Sequence, residues 1–188
     1  MGMHENQQPL LREQALAHVA TLSAEDREAL LLKCWMSHDA RWYMAAAREF
    51  GLEAANRLNQ EAARAEGRVE ARRALKAVGM ELPRTRDEAL EAQEVLATLL
   101  TRDLVTYAVV PAGDDSFEFR VWRCFAYENV TAASIVEQYD CGIFSRVQGW
   151  WDAFGLQYEL DPLPGRCLRA QQRECVYAFR RIRPSEGA

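Results

Sequence analysis

The hydrophobic periodicity of the chain changes near residue 102, and this change constrains the fold more than any other feature. Before it, apolar residues recur at helical spacing, punctuated by Gly51, Gly79 and a capping box formed by Thr85 and Glu88. After it, β-branched and aromatic residues flank the turn sequence Pro111-Ala112-Gly113-Asp114-Asp115. The pattern predicts an α+β fold in which a helical N-terminal half packs on an antiparallel sheet.

The chain length favours one domain over residues 1–188. Residues 1–102 would form its helical half and residues 103–182 its strand-bearing half, followed by a loose tail over 183–188. The sheet is expected to have four or five strands, because residues 167–170 can form a final hairpin with residues 175–182. A long helix at about 130–154, continuous or broken near Cys141, is expected to cross the sheet.

Charge and hydropathy exclude several classes of partner. The net charge of −5 is spread over both halves, and neither half has the basic excess of a nucleic-acid-binding surface. No stretch reaches the roughly 20 apolar residues of a membrane helix, and the N-terminal residues lack the apolar segment of a signal peptide. We therefore expect a cytoplasmic protein with neither a nucleic-acid nor a membrane partner. Its five cysteines should then be free thiols or ligands instead of disulfides.

A carboxylate interrupts the apolar arc of the predicted helix over residues 25–50. Because a helix turns by about 100° per residue, Asp39 falls near the middle of this arc and His38 at its edge. Desolvation disfavours a charged carboxylate, so Asp39 is expected either to pair with an arginine such as Arg73 or to have a raised pKa. In the second case Asp39 could act as a general base near neutral pH, with His38 as its partner or proton shuttle.

The next predicted helix, at about residues 52–78, places Asn59 and Glu66 on its inward arc. These side chains are expected either to form a buried hydrogen-bond network between two helices or to face Asp39 across a cavity. Aromatic residues of the preceding helix are chiefly core, but they could also line a flat ligand pocket. The candidate ligand-binding residues are therefore Trp35, Trp42, Tyr43, Asn59 and Glu66.

Four cysteines of the strand-bearing half could meet near one edge of the sheet. Their separations of 17, 26 and 8 residues do not include the C-x2-C spacing of a zinc site. They are either inert buried thiols or a metal or redox cluster. Cys141 is the candidate for a reactive, catalytic thiol, because a helix N-terminus lowers a thiol pKa. The cysteine set is Cys124, Cys141, Cys167 and Cys175.

A second candidate metal set is His38 and Asp39 with Glu66. Neither set has recognised ligand spacing, so no cofactor and no stoichiometric metal are expected, although a metal is possible.

Several short runs together define a resemblance. They are Trp35-Met36-Ser37-His38-Asp39-Ala40-Arg41-Trp42, Asn59, Arg123-Cys124-Phe125, Tyr139-Asp140-Cys141-Gly142, Trp150, Cys167-Leu168 and Cys175-x-Tyr177. From about residue 30 to residue 180, the chain resembles uncharacterised bacterial and archaeal proteins related to the L-2-amino-thiazoline-4-carboxylate hydrolase-like family. The cysteine spacing is more loosely similar to small-molecule-binding domains of the 4-vinyl reductase type. The first resemblance implies opening of a small sulfur-containing heterocycle.

Three functions of different classes follow as expectations. The first is a small hydrolase-like enzyme that acts on a small polar molecule between the helices and the sheet, with Asp39 as general base and Asn59 as an orienting group. The second is a non-catalytic small-molecule-binding domain, or a redox- or metal-sensing domain, that uses the same pocket. The third is a structural subunit whose exposed aromatic surface meets a partner, and it makes a homodimer possible.

Overall fold

The computed structural model describes residues 7–101 and 104–185. That part of the chain forms six α-helices, four β-strands and a 3₁₀ turn over Val136–Gln138. The helices are α1 (Gln7–Val19), α2 (Ala24–Phe50), α3 (Leu52–Ala77), α4 (Arg86–Leu100), α5 (Phe125–Ala132) and α6 (Gly142–Phe154). The strands are β1 (Val105–Gly113), β2 (Ser116–Cys124), β3 (Leu156–Asp161) and β4 (Cys175–Pro184).

The four strands form an antiparallel sheet in the order β1-β2-β4-β3. Four helices precede the sheet, which confirms the predicted α+β class. The predicted hairpin of β1 and β2 is also confirmed, with Val110 opposite Glu118. On β2, Phe117, Phe119 and Val121 are buried and alternate with half-buried residues, because successive strand side chains point to opposite faces.

The fifth strand that the sequence allowed over residues 167–170 is not formed. The backbone there pairs instead with the segment that leads into α6. The Cys141 N–H donates to the Gly165 carbonyl at 2.7 Å, and the Cys167 N–H donates to the Tyr139 carbonyl at 3.0 Å. This pairing accompanies the break near Cys141, so the helical residues within 130–154 belong to two helices, α5 and α6.

Two other predicted boundaries lie near residues 183 and 102. Residues 183 and 184 belong to β4, where they pair with β3, so the prediction of a loose tail from residue 183 is wrong for them. Residues 186–188 of that tail lie outside the described residues, as do residues 102 and 103 at the predicted boundary between the halves.

Local hydrogen bonds explain where the helices begin and end. The Thr85 hydroxyl accepts from the Glu88 N–H at 3.3 Å, so the predicted N-cap of α4 is confirmed. The Glu88 carboxylate accepts from the backbone N–H of Arg84 at 2.7 Å, one residue before the position expected in a capping box. Gly155 ends α6 at φ 74°, a left-handed conformation that favours glycine.

The apolar face of α6 lies at the centre of the main core. Trp151 is fully buried, and its ring packs against Phe117 and Phe179 at centroid distances of 5.5 and 4.8 Å. The Trp151 indole N–H donates to Gln93 of α4 at 2.7 Å, which satisfies the polar end of the buried ring. Helix α3 contributes Leu75 to the same core.

The chain divides into two compact units, Met1–Trp42 and Tyr43–Ala188. Among the described side chains, none from residues 9–42 is buried, and every buried residue belongs to the second unit. The single domain expected over residues 1–188 stays a prediction. Across the described residues, no helix combines the length and apolar character needed to cross a bilayer.

Candidate functional site

A cleft of about 640 Å³ opens beside α3, α6, β3 and β4, all within the second unit. Each element contributes polar side chains to its wall. These are Arg64 from α3, Gln148 and Asp152 from α6, Tyr158 from β3, and Arg181 and Arg183 from β4. Gln148 and Asp152 are four residues apart, so both lie on one face of α6.

A close helix crossing holds α3 against α6 beside this cleft. A side-chain carbon on Gly67 would overlap the backbone carbonyl oxygen of Arg146, and one on Gly149 would overlap that of Arg64. Only glycine allows the two backbones to approach so closely. The crossing places the backbone carbonyl of Arg64 beside Gly149 of α6. Gly149 precedes Asp152 by about one helical turn.

Asp152 is held by two arginines of α3. Arg64 donates to both carboxylate oxygens, at 2.8 and 3.0 Å, and the Arg68 Nε donates to one of them at 3.1 Å. Partial burial raises the pKa of Asp152, but the hydrogen bonds and charges of Arg64 and Arg68 outweigh burial and hold this pKa below its ordinary value. Asp152 is therefore ionised at neutral pH and is a weak base.

Gln148 is the unusual residue of the cleft. Its side chain is 8% exposed and lines the cavity, yet it makes no hydrogen bond to any described residue. Among the described residues, Gln93 Nε2 is the buried side-chain atom without a partner, so the polar atoms of Gln148 are not buried and meet the solvent of the cleft. The amide is thus available to a molecule in the cleft.

The four C-terminal cysteines approach one another elsewhere in the same unit. Asp140 and Arg166 form an ion pair on one side of their bridge, so Tyr139, Cys141 and Cys167 face the other side. Cys175 lies opposite Val121 at the start of β4, close enough for its charge to affect the pKa of Cys141. Cys141 and Cys167 are buried, and Cys124 and Cys175 are half-buried.

Burial raises the pKa of Cys124, Cys141 and Cys175. It raises the pKa of Cys141 and of Cys175 to about 12, and neighbouring cysteine charges act in the same direction. Cys141 is the N-cap of α6, as predicted, and the Phe144 N–H lowers its pKa, but burial is the larger effect. The prediction that Cys141 has a lowered pKa is therefore wrong.

Neither candidate metal set is assembled as a metal centre. Within residues 7–101 and 104–185, no group of three or more His, Cys, Asp or Glu side chains is placed to hold a metal ion. His38 Nδ1 lies 3.5 Å from Asp39 Oδ1, but both side chains are largely exposed, at 70% and 53%. The desolvated environment predicted for Asp39 is absent, because the face of α2 that carries it is open to solvent.

The predicted ligand-binding residues differ in their exposure. Trp42 and Glu66 are exposed, whereas Trp35, Tyr43 and Asn59 are half-buried. The placement of Glu66 on the inward arc of α3 is wrong. The buried carboxylate is Glu70, one turn later, which accepts from the Arg146 guanidinium at 2.7 Å and from the Trp150 indole at 3.0 Å.

Tyr43 and the inward arc of α3 do meet, but through Asn56. The Tyr43 hydroxyl donates to the Asn56 side-chain oxygen at 2.8 Å, and the Asp140 N–H donates to the same oxygen at 3.1 Å. The Asn56 amide donates to the Gln138 carbonyl at 2.6 Å. Each polar atom of Asn56 is thus satisfied, whereas the buried network was predicted for Asn59 and Glu66.

The residues of the cleft were missed by sequence reasoning. Arg64, Gln148 and Asp152 carry ordinary surface residue types, and nothing in their spacing marks a site. Gly67 and Gly149 were the available signal, because glycine within a helix indicates close approach of another backbone.

The fold and the cleft define a small α+β protein with a polar cleft between helices and sheet. Residues 20–145 match the family described as Family of unknown function (DUF6125), and the chain belongs to this family. Comparisons with curated proteins and with solved structures gave no match. The matched segment includes Arg64 but ends before Gln148 and Asp152.

Proposed function

We propose that this chain is a small-molecule-binding protein and that its ligand occupies the cleft beside α3, α6, β3 and β4. The observation that carries the proposal is the side-chain amide of Gln148, which is open to the cleft and makes no hydrogen bond to a described residue. The cavity volume of about 640 Å³ lies in the range of small-molecule sites, roughly 300–1,000 Å³.

The chemistry of the candidate residues supports binding over hydrolysis. A general base for hydrolysis works best when its pKa is close to the operating pH. Asp152 has a lowered pKa because two arginines hold its charged form, and burial raises the pKa of Cys141 to about 12. Asp39 is exposed to solvent. Neither Asp152 nor Cys141 is therefore a poised base or nucleophile.

A thermal-shift screen of small polar metabolites tests this proposal. Gln148→Leu removes the free amide at nearly constant volume and should abolish the shifts that hits produce with the natural chain. Gln138→Leu is the matched control, because the Gln138 side chain is exposed and does not line the cleft.

Mass spectrometry of each hit after incubation separates binding from catalysis. A bound molecule should be recovered intact. Product formation that survives Gln148→Leu, or unchanged shifts in that variant, would contradict the proposed site. Product formation that the variant abolishes would instead favour the hydrolase-like activity that the sequence resemblance implies.

We also propose that two copies of the chain associate through its N-terminal helices. Eight large apolar side chains between residues 10 and 42, all in the first unit, are each at least 38% exposed, including Leu31 at 70% and Trp42 at 61%. Apolar side chains exposed in this number are typical of a surface that a partner covers. A second copy presents the same surface, so the two can pair about a two-fold axis.

Light scattering coupled to size exclusion tests this association. Leu31→Lys should convert the dimer into a monomer, whereas Val110→Lys, at a 38% exposed position on β1, should leave the dimer intact. A natural chain that is monomeric at its highest soluble concentration would rule the association out.

A further inference from the structure

The charged groups that line the cleft do not balance. Three guanidinium groups, of Arg64, Arg181 and Arg183, face two carboxylates, of Asp152 and Glu159. The lining therefore has a surplus of one positive charge, on a chain whose net charge is −5. A local excess of the opposite sign to the whole molecule attracts anions to that place.

The surplus can be assigned to one residue. Among the lining residues, Arg64 is paired with Asp152, which Arg68 outside the lining also contacts, and Arg181 Nη1 lies 2.7 Å from a carboxylate oxygen of Glu159. Arg183 donates from its Nε to the neutral side-chain oxygen of Gln157, at 3.0 Å, and makes no ion pair with any described carboxylate.

Its position on the sheet orients the Arg183 guanidinium. Gln157 on β3 and Arg183 on β4 are directly opposite each other in the strand register. The hydrogen bond between them uses Nε, and the two terminal nitrogens make no other hydrogen bond within the described residues. A planar guanidinium with free terminal N–H groups matches the two oxygens of a carboxylate.

The structure assigns the cleft to a small organic monoanion of the carboxylate class, with Arg183 binding the negative charge. This inference rests on the proposed function, since it names the ligand chemistry of the same cleft. Arg183 is the lining guanidinium without a carboxylate partner among the described residues, and its free terminal N–H groups match the geometry of one carboxylate. Gln148 offers an amide to a second polar group, and Leu163, which is 72% exposed, offers an apolar contact at the rim.

Binding of paired probes, measured by ligand-observed NMR and titration, tests the inference. The probes are benzoate and hexanoate, their primary amides benzamide and hexanamide, and inorganic phosphate. Each carboxylate should bind at least tenfold more tightly than its amide and more tightly than phosphate. Only the carboxylate matches both the single charge of Arg183 and the spacing of its two terminal N–H groups.

Variants of β4 provide the control. Arg183→Met should weaken carboxylate binding at least tenfold. Arg183→Lys should weaken it less than Arg183→Met, because lysine keeps the positive charge but lacks the paired N–H groups of a guanidinium. Arg180→Met should have no effect, because Arg180 is on the same strand but lies outside the cleft and faces Asp161 at 3.4 Å.

The outcomes separate the two proposals. Equal binding of carboxylates and amides that is lost in Gln148→Leu, but is unchanged in Arg183→Met, would overturn the assignment to anions and leave the binding function standing. Tighter binding of phosphate would overturn it in favour of a polyanion. If no probe binds the natural chain, the carboxylate assignment fails, and the metabolite screen alone then decides the proposed function.

Discussion

Cys141 shows two opposing effects on one residue. Its place at the start of α6 brings the backbone N–H of Phe144 towards its sulfur, and this N–H lowers the thiol pKa. Its burial removes water from the thiolate, and this larger effect raises the pKa to about 12. Sequence position reveals the first effect because helix starts can be recognised, but burial depends on the packing of Tyr139, Cys167 and β4 around the thiol.

Alkylation of the native protein should therefore discriminate among the cysteines. With iodoacetamide, Cys34 should be modified readily because it is exposed. Cys141 and Cys175 should stay unmodified up to about pH 9, since thiols with a pKa of about 12 remain almost fully protonated there. Mass spectrometry of proteolytic peptides gives the extent of reaction at each position. In urea all five thiols should react, and native modification of Cys141 at the rate of Cys34 would contradict the buried environment.

Asp152 gives stability a predictable pH dependence. Its pKa is lowered in the folded state, so its contribution is present above the unfolded pKa, near 4, and is lost as pH falls through the folded value. Asp152→Asn should cost roughly 1 kcal/mol at pH 7, a modest value because Arg64 and Arg68 are partly exposed.

Urea denaturation of the two proteins at pH 7 and at pH 2.5 measures the difference. The gap between natural chain and variant should narrow at the lower pH, where the carboxyl group of the natural chain becomes protonated. A gap that widens on acidification would mean that the arginines do not hold the charged form.

The crossing of α3 and α6 is the element-scale contact most sensitive to substitution. Gly67→Ala and Gly149→Ala should each lower the free energy of unfolding by about 3 kcal/mol, because the added carbon overlaps a backbone carbonyl that cannot rotate away. Gly165→Ala is the control, since its added carbon would meet no atom within 4 Å. Urea denaturation reports all three values. Equal stability of Gly67→Ala and Gly165→Ala would show that the helices are farther apart.

At this scale, the features predicted correctly are those that depend on residues close together in the sequence. The N-cap of α4 at Thr85 and the β1–β2 hairpin depend on neighbouring residues, and both were predicted correctly. The buried side of α3 was placed wrongly at Glu66, because its small residues leave several faces equally apolar. Contact with α6 selects the face that carries Gly67 and Glu70, and that contact joins residues about 80 positions apart.

The predicted burial of Asp39 was wrong for a related reason. Its helical arc is apolar in the sequence, but an apolar arc predicts burial only if another element covers it. The described side chains of residues 9–42 include none that is buried. The polar cleft could not be predicted from the sequence, because its residues come from four separate elements and meet only in the folded chain.

At the scale of the whole molecule, burial is concentrated after residue 42. The described buried residues run from Ala46 to Ile182, and they include the core around Trp151 and the network of Asn56. Most of the stability of a helix in a protein comes from packing of its apolar face. Residues 9–42 therefore contribute little to the stability of the core.

A fragment of residues 43–188 should consequently fold on its own. It keeps Tyr43, whose hydroxyl donates to Asn56, and it keeps all described residues of the main core. Its unfolding in urea should remain a single cooperative transition, with near-ultraviolet circular dichroism from Trp150 and Trp151 like that of the full chain.

A fragment of residues 57–188 is the control. It lacks Asn56 and the buried Ala46 and Ala55, and it should lose several kcal/mol because the Gln138 carbonyl and the Asp140 N–H then lose their partner. If residues 43–188 gave no cooperative transition, residues 1–42 would be an integral part of the core, as the single-domain prediction requires.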